Sequence, residues 1–378
     1  MLNYSFFNLL RQSISGHKGW EKTWQSPGLK KNYDVVIVGA GGHGLATAYY
    51  LAAKHGIRNV AVIEKGWLGG GNSGRNTQVV RSNYFWPQSA DFYEYSLKLY
   101  ERLNAELNFN VMLSQRGILS LAHSHHELES QRRWANSIQI NGIDSEVMNP
   151  QQIKKLVPSI NLQGRLPVHG GFIQKRGGIA RHDAVVWAYA RAASNLGVDI
   201  IQETEVTDFK ITEGRITGVK TSQGQVSADR VCISVAGHTS VLARKAGFRL
   251  PITSMALQAM VSEPIKPCLN TVVMSNMIHV YVSQSDRGEL VIGGAADLYN
   301  SYAQRGGIPV LEENMAAFLE LFPSFSRLRL NRQWAGIVDI TPDTTPIMGK
   351  TPVKNLYINC CLLYTSDAAD DTPCVDLG

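Results

Sequence analysis

The hydrophobic pattern near the start of the chain predicts a strand, a helix and a second strand. An apolar run, Val35–Val38, is long enough for a buried parallel strand, and a cluster of glycines follows it. A helix-like stretch comes next, and a second apolar run ends at Glu64. This order of elements is typical of a βαβ unit in a parallel sheet.

The glycine spacing between the two strands indicates a dinucleotide site. Gly39 permits a tight turn, Gly41 lets the backbone approach a pyrophosphate, and Gly44 allows the helix to pack closely on the strand. Free N–H groups at the helix start favour the phosphates. Glu64 can accept both ribose hydroxyls and disfavours a 2′-phosphate, so we expect FAD or NAD rather than NADP. The expected contacts are Gly39, Gly41, Gly42, His43, Gly44, Glu64 and Lys65.

A second glycine-rich loop follows the ribose-binding strand directly. Residues 66–76 combine five glycines with Asn72, Ser73, Arg75 and Asn76. Such glycine density lets the backbone approach a rigid ligand, while the polar side chains offer contacts to it. A flexible surface turn is the alternative. The position of the loop after the strand favours cofactor binding by these four side chains.

The rest of the pattern mixes helices with strands. Periodicity predicts helices over 88–110 and 125–140, a strand at 117–122 and a hairpin over 208–226. The segment Ile278–Ser283 alternates, so His279 and Tyr281 are expected on one face of a strand. There they could line a substrate pocket; an ordinary core histidine and tyrosine are the alternative.

These elements predict an α/β fold with two interleaved domains. The first is a discontinuous Rossmann-like domain for the cofactor, and the second is an α+β substrate domain on a mixed or antiparallel sheet. The cofactor domain is expected over 31–95, 170–245 and 333–360, and the substrate domain over 96–169 and 246–332. Residues 1–30 form an N-terminal arm, and 361–378 a separate tail.

The composition narrows the class of protein. A chain of 378 residues suits two domains. The net charge of +6 is spread over scattered Lys and Arg, which favours a mildly basic surface over a nucleic-acid site. We expect no membrane span, no secretory leader and a cytoplasmic location. The five cysteines have neither CxxC nor metal-ligand spacing, so neither a disulfide framework nor a metal site is expected.

Several segments in this order resemble the FAD-dependent amine and D-amino-acid oxidases. They are the glycine fingerprint with Glu64, Glu205–Val206 before a hairpin, Ser234–His238, and residues 334–343. In that group the Glu-Val segment touches the adenine. The resemblance therefore implies FAD rather than NAD, with Val206 and Gly237 as further cofactor contacts.

Within this group the chain is most similar to one family. Residues 32–50, 63–84, 179–202 and 272–284 resemble the beta subunits of heterotetrameric sarcosine oxidases. The resemblance implies oxidative demethylation of sarcosine with hydride transfer to non-covalent FAD. Electrons then pass through a covalent FMN to oxygen, giving hydrogen peroxide. It also implies alpha, gamma and delta subunits as partners.

The same resemblance implies where the FMN is attached. The family uses the histidine of an Ala-(Lys/Arg)-His-Asp motif, which is His182 in this chain. An imidazole nitrogen can bond the flavin 8α carbon, and a helix N-terminus with Arg181 nearby could favour an anionic reduced flavin. From position alone, His182 would be a helix-capping or surface histidine.

A substrate carboxylate requires a buried cation. Related oxidases supply one just after the flavin loop, where Arg75 and Arg81 stand, and we expect Arg81. A solvent-exposed or phosphate-contacting arginine is the alternative. Arg81, His279 and Tyr281 form the predicted catalytic set. The family often has histidine where Met255 and Met277 stand, so this part of the pocket is expected to differ.

The last residues depart from the family pattern. The family continues with a Gly-Trp-Gly-Thr-Gly-Gly-Phe-Lys segment, whereas residues 361–378 contain four Asp and neither Lys nor Arg. Residues 361–370 match one reading frame of a transposase adapter used in sequencing libraries. We therefore expect the native sequence to stop near Cys360; a diverged acidic C-terminus is the alternative.

Two other functions stay open from the sequence. One is a dehydrogenase of amines or amino acids that uses FAD alone, of the dimethylglycine or D-amino-acid type. The other is a truncated flavoprotein without activity. A covalent flavin on His182 distinguishes the two-flavin enzyme from the first of these.

Overall fold

The structure is a computed structural model that describes residues 5–16, 18, 22–343 and 345–360; the predicted tail 361–378 lies outside them. Capping residues end several helices; Gly56, for example, adopts the left-handed conformation that ends the second helix. In chain order they are α1 (Phe6–Ile14), α2 (Gly42–His55), α3 (Pro87–Glu106), α4 (His125–Ile140), α5 (Pro150–Leu156), α6 (His182–Asn195), α7 (Thr239–Lys245) and α8 (Ile308–Leu321).

The strands form two eight-stranded sheets and one short pair. In chain order they are β1 (Asn32–Val38), β2 (Val60–Ile63), β3 (Val79–Val80), β4 (Ile118–Ala122), β5 (Glu146–Met148), β6 (Gly170–Gln174), β7 (Gly178–Ile179), β8 (Asp199–Ile201), β9 (Val206–Thr212), β10 (Arg215–Thr221), β11 (Gly224–Ile233), β12 (Thr253–Pro264), β13 (Val272–Ser275), β14 (Val280–Gln284), β15 (Glu289–Ala296), β16 (Leu330–Ile340), β17 (Ile347–Lys350) and β18 (Leu356–Cys360).

The first sheet contains the predicted parallel strands, and β17 joins it antiparallel to β18. Its order is β17-β18-β11-β1-β2-β8, and β1 pairs in parallel with both β2 and β11. β18 also runs parallel to β11, although more than a hundred residues separate them. β9, β10 and β11 form an antiparallel meander that extends the predicted hairpin by one strand. The α/β fold class is confirmed.

Both faces of this sheet are covered. Side chains alternate along β1, so Ile37 points into the core shared with α2 and α6, and Val36 into the core on the opposite face. Val36 and Ile37 are fully buried. Burial of each such aliphatic side chain contributes about 1.5–3 kcal/mol, which explains the unbroken apolar run.

The second sheet is mixed, as predicted for the substrate domain. Its order is β16-β12-β15-β14-β13-β4-β6-β5, with β13 and β4 parallel and the other neighbours antiparallel. α8 packs on it through Phe318 and Leu321, both fully buried. The loop that joins β2 to β3 lies between the two sheets, because it contacts β16 of the second sheet and follows β2 of the first.

Two strands lie in the second sheet although the sequence boundaries assign them to the cofactor domain. β6 pairs with β4 and β5, and β16 pairs with β12 from Thr253↔Ile340 to Ser262↔Leu330. A glycine in β6 allows close strand contact: a Cβ on Gly171 would lie 2.2 Å from the Ser120 carbonyl oxygen.

Candidate functional site

A cavity of ≈ 310 Å³ lies at the carboxyl ends of the parallel strands. Val38 ends β1, Ile63 ends β2 and Ser234 follows β11, and all three line it. Open parallel sheets bind their ligands at this edge, because the loops that follow neighbouring strands meet there. The cavity is therefore the candidate site.

The first wall is the glycine turn between β1 and α2. Gly39 has φ +107, and a Cβ there would lie 2.2 Å from the Ser234 carbonyl oxygen, so only glycine fits. A Cβ on Gly44 would meet the Gly39 carbonyl oxygen at 2.0 Å. Gly41 lines the cavity itself, where the missing side chain exposes backbone to a ligand. These positions fit the roles predicted from their spacing.

Glu64 fixes this turn from the end of β2. One carboxylate oxygen accepts the Ala40 N–H and the other accepts the Gly66 N–H, each at 2.9 Å. The side chain also lines the cavity. It therefore connects the glycine turn with the start of the second glycine loop, beside the place where a ribose would bind.

The second glycine loop forms the roof of the cavity. The Ser73 hydroxyl accepts the Gly42 N–H at 2.9 Å and so joins the loop to the start of α2. The Arg75 guanidinium donates to the carbonyl oxygens of Gly70 and Gly71. Burial lowers the pKa of Arg75 from its usual value. The loop is folded on itself and its arginine faces the cavity.

Asn72 attaches this loop to the second sheet. Its amide nitrogen donates to the Ile337 carbonyl oxygen at 2.6 Å, and its amide oxygen accepts the Ile337 N–H at 3.0 Å. The Trp334 indole N–H donates to the Arg75 carbonyl oxygen. A Cβ on Gly237 would lie 2.1 Å from Ile337 Cγ2, so the opposite wall also packs against β16. Both domains therefore build the cavity.

Charged side chains of both signs line the cavity. Lys65, Arg75 and Lys245 line it, while burial lowers the pKa of His43 to about 4 and keeps its ring neutral at pH 7. The pKa of His238 is also lowered, and burial is the main cause. Glu64, Glu205 and Asp339 also line the cavity, so its three cationic and three acidic side chains balance in number. Fixed cations beside a glycine turn at a helix start suit phosphate groups.

A second cavity of ≈ 10 Å³ adjoins the first, because Arg75, Ile337 and Val338 line both. Thr77 and Tyr281 also line it. The Thr77 hydroxyl is buried and makes no hydrogen bond, which costs free energy unless a ligand provides a partner. Thr77 is not among the residues predicted from the sequence, although it follows the glycine loop directly.

Eleven of the predicted cofactor residues line the large cavity. Gly44 and Asn76 lie behind its wall, and the Asn76 amide bonds the Ser73 carbonyl oxygen and the Gln78 N–H instead. His182 and Arg81 lie outside the lining of both cavities. The lining residues are Gly39, Gly41, Gly42, His43, Glu64, Lys65, Asn72, Ser73, Arg75, Val206 and Gly237.

The prediction that His279 and Tyr281 share a strand face was wrong. β14 begins only at Val280, and His279 occupies a left-handed turn with φ +50, where its N–H donates to the Asn276 carbonyl oxygen. The turn reverses the chain between β13 and β14, so the alternation of the strand does not extend to it. Tyr281 is buried and lines the small cavity, whereas His279 does not.

Arg81 is only 3% exposed. Its guanidinium donates to the Asn83 side-chain oxygen at 2.9 Å and lies 4.6 Å from the centre of the Tyr84 ring. Tyr84 stacks on Tyr93. Arg81 is thus the buried cation expected shortly after the second glycine loop. It lies beside the stacked rings of Tyr84 and Tyr93.

His182 is the first residue of α6. Its Nδ1 is buried and makes no hydrogen bond, and burial lowers the pKa of the imidazole. Arg181 and Asp183 on either side form an ion pair with each other. The structure therefore holds a neutral histidine between two paired charges at a helix start.

Neither a metal cluster nor a membrane-spanning helix occurs among the described residues. Across the described ranges, no group of three or more His, Cys, Asp or Glu side chains could hold a metal ion. Among the helices in those ranges, none is both long and apolar enough to cross a membrane.

Comparison with known proteins identifies close relatives. Residues 34–365 match the family model described as FAD dependent oxidoreductase. The chain is 55% identical to "Sarcosine oxidase subunit beta" of Rhodobacter capsulatus over 361 residues, which cover 95% of this chain and 87% of the relative. It is 55% identical to the protein of the same name from Arthrobacter sp over 342 residues, covering 90% and 84%.

Solved structures share the fold. L-proline dehydrogenase from P. horikoshii aligns with a TM-score of 0.84 at 25% identity, covering 90% of this chain and 91% of that one. Glycine oxidase from Geobacillus kaustophilus aligns with a TM-score of 0.81 at 21% identity, covering 90% and 93%. The fold thus recurs at low sequence identity.

Proposed function

The chain belongs to the FAD-dependent oxidoreductases, within them to the sarcosine oxidase beta subunits, and we propose that it oxidises sarcosine with FAD bound in the large cavity. The observation that carries this proposal is the cavity at the strand ends, whose glycine turn, Glu64 and cations suit the parts of a dinucleotide. The relatives are named as beta subunits, so a complex of several subunits is implied.

The residues present fit FAD. Gly41 and the start of α2 suit the pyrophosphate, Glu64 suits the ribose, and Val206 lies on the cavity wall where the resemblance implies the adenine. The roof loop, held to Ile337 by Asn72, would cover the middle of the cofactor. When bound, FAD supplies the redox chemistry by accepting a hydride from the substrate carbon.

The remaining tasks fall to the protein. We propose that Arg81 binds the substrate carboxylate: it is a buried cation in the segment that follows the cofactor loop, although it lies outside the lining of both cavities. Thr77 and Tyr281 line the small cavity beside Arg75; at ≈ 10 Å³ it has room for about one water molecule, so we place the substrate itself in the large cavity that adjoins it. The apolar Leu257 and Val338 of the small cavity would exclude water from the reacting C–H bond.

The test is the reaction itself. We expect the chain, co-expressed with the subunits encoded beside it, to convert sarcosine, oxygen and water into glycine, formaldehyde and hydrogen peroxide in equal amounts. Peroxide and formaldehyde release are measured against sarcosine consumed. Turnover of proline or N,N-dimethylglycine with none of sarcosine would replace the proposal by a single-flavin amine dehydrogenase.

We further propose that His182 carries a covalent FMN. Burial favours the neutral imidazole, the form that acts as a nucleophile, and the buried Nδ1 leaves Nε2 as the atom for attachment. Forming the bond replaces one N–H and one C–H by an N–C bond. The two electrons and two protons released reduce molecular oxygen to hydrogen peroxide. Alpha, gamma and delta subunits are the proposed partners.

Replacing His182 by alanine is expected to remove covalent flavin completely, because the side chain supplies the only bond to it. The measurement is flavin fluorescence of the denatured chain on a gel, after co-expression with the partner subunits. His55→Ala is the control, because His55 lies at the far end of α2. Fluorescence that persists in the His182 variant would refute covalent attachment at this residue, while leaving the FAD site unaffected.

A further inference from the structure

Two turns with the same unusual geometry flank the start of α6. The Asn76 side-chain oxygen accepts the Gln78 N–H at 2.9 Å, and the Asn110 side-chain oxygen accepts the Met112 N–H at 2.8 Å. Gln78 has φ 75 and Met112 has φ 55. Residues with side chains rarely adopt this left-handed conformation, and where they do the site is often functional.

The backbone of each turn also accepts a hydrogen bond from the segment that leads into α6. The Gln78 carbonyl oxygen accepts the Ala180 N–H at 2.8 Å, and the Val111 carbonyl oxygen accepts the Arg181 N–H at 3.0 Å. Two successive N–H groups are therefore held from two different loops. The next residue is His182, whose Nδ1 is buried without a partner.

The two loops come from different parts of the fold. Asn76 is buried, and its amide nitrogen donates to the carbonyl oxygen of Ser73 in the roof loop of the FAD cavity. Asn110 lies in the connection from α3 to β4, outside that loop. β3, which follows Gln78, also pairs with β7, which precedes Ala180. The position of His182 thus depends on contacts from both sides.

We propose that Asn76 and Asn110 are positioning residues that hold the His182 imidazole in place for attachment of its flavin. This inference rests on the proposed covalent FMN. Each asparagine stabilises a left-handed backbone conformation that otherwise costs free energy. A carbonyl oxygen in each turn, that of Gln78 or Val111, then accepts the N–H of Ala180 or Arg181, just before the histidine. Neither side chain lines the FAD cavity. They act on His182 through the backbone only.

The experiment measures the rate of covalent flavin incorporation in the co-expressed complex, by fluorescence of the denatured chain. Asn76→Ala is expected to slow it about fivefold, the effect of losing one partly buried hydrogen bond, and Asn110→Ala about twofold, because the Asn110–Met112 bond is exposed to water. Asn110→Asp keeps the accepting oxygen and is expected to restore the rate, whereas Asn76→Asp turns a carboxylate oxygen towards the Ser73 carbonyl oxygen and is expected to slow it like alanine. Asn161→Ala removes a similar i to i+2 bond, to the Gln163 N–H, and is the control.

Separate readouts distinguish the possible failures. Non-covalent FAD and the unfolding midpoint are measured on each variant, and covalent flavin is expressed per bound FAD, so that misfolding does not imitate a positioning effect. If His182→Ala keeps covalent flavin, the proposed attachment is wrong. If His182→Ala loses it while both alanine variants incorporate flavin at the unaltered rate, the attachment stands and the positioning role is wrong.

Discussion

Replacing Gly41 by alanine is expected to weaken FAD binding on the order of 100-fold, or about 3 kcal/mol. The backbone at Gly41 has φ −79 and ψ 178, which alanine adopts without strain. The added Cβ would lie 3.1 Å from the Ser73 hydroxyl oxygen and on the wall where the pyrophosphate approaches. The loss therefore comes from contact with the cofactor and with Ser73, and not from a damaged fold.

The measurement is a titration of the flavin-free protein with FAD, followed by flavin fluorescence. Gly28→Ala is the matched control, because no atom lies within 4 Å of a Cβ at that position. It is expected to bind FAD like the unaltered chain. Overpacking against the cofactor is expected to carry a steric cost. If Gly41→Ala binds FAD within about twofold of the unaltered protein, the cofactor does not approach this turn.

Replacing Asn72 by alanine is expected to lower FAD affinity about 30-fold, because two hydrogen bonds of about 1 kcal/mol each are lost. The Asn72 amide makes both of its bonds to the backbone of Ile337, at 2.6 and 3.0 Å. Without them the roof loop loses its attachment to β16. Asn72→Asp should be at least as harmful, since its carboxylate would face the Ile337 carbonyl oxygen.

FAD titration and the rate of proteolysis within residues 69–76 together report on this attachment. Asn59→Ala is the control, since the Asn59 amide donates to Asp34 at 2.9 Å on an exposed part of the surface. A roof loop that becomes no more susceptible to protease in Asn72→Ala would contradict the proposed role of the contact, whatever the change in affinity.

The parts of the site that the sequence could predict are those encoded locally. Gly39, Gly41 and Gly44 lie within six residues of one another, and the strand on each side has its own apolar run, so spacing alone predicted the turn and its ligand class. The helix at 125–140 was likewise predicted from its own periodicity and is α4.

Other features depend on residues far apart in the chain. The bond between Asn72 and Ile337 joins positions 265 residues apart, and no local pattern announces it. The Thr77 hydroxyl matters because β12 and β16 bury it, which the sequence around it does not show. His279 was misplaced because the alternation of side-chain types in the sequence continues from β14 into the turn before it. The positive φ of His279 marks the turn, and the sequence does not show it.

The pairing of β18 with β11 has a consequence for biosynthesis. Asn359 of β18 lines the FAD cavity, and Ile233 pairs with Ile358 across the same sheet. A ribosome that adds about 5–20 residues per second needs roughly 6–25 s to proceed from the first of these strands to the second. During that interval the emerging chain has one edge of β11 open. Stable cofactor loading is thus expected only after synthesis of β18.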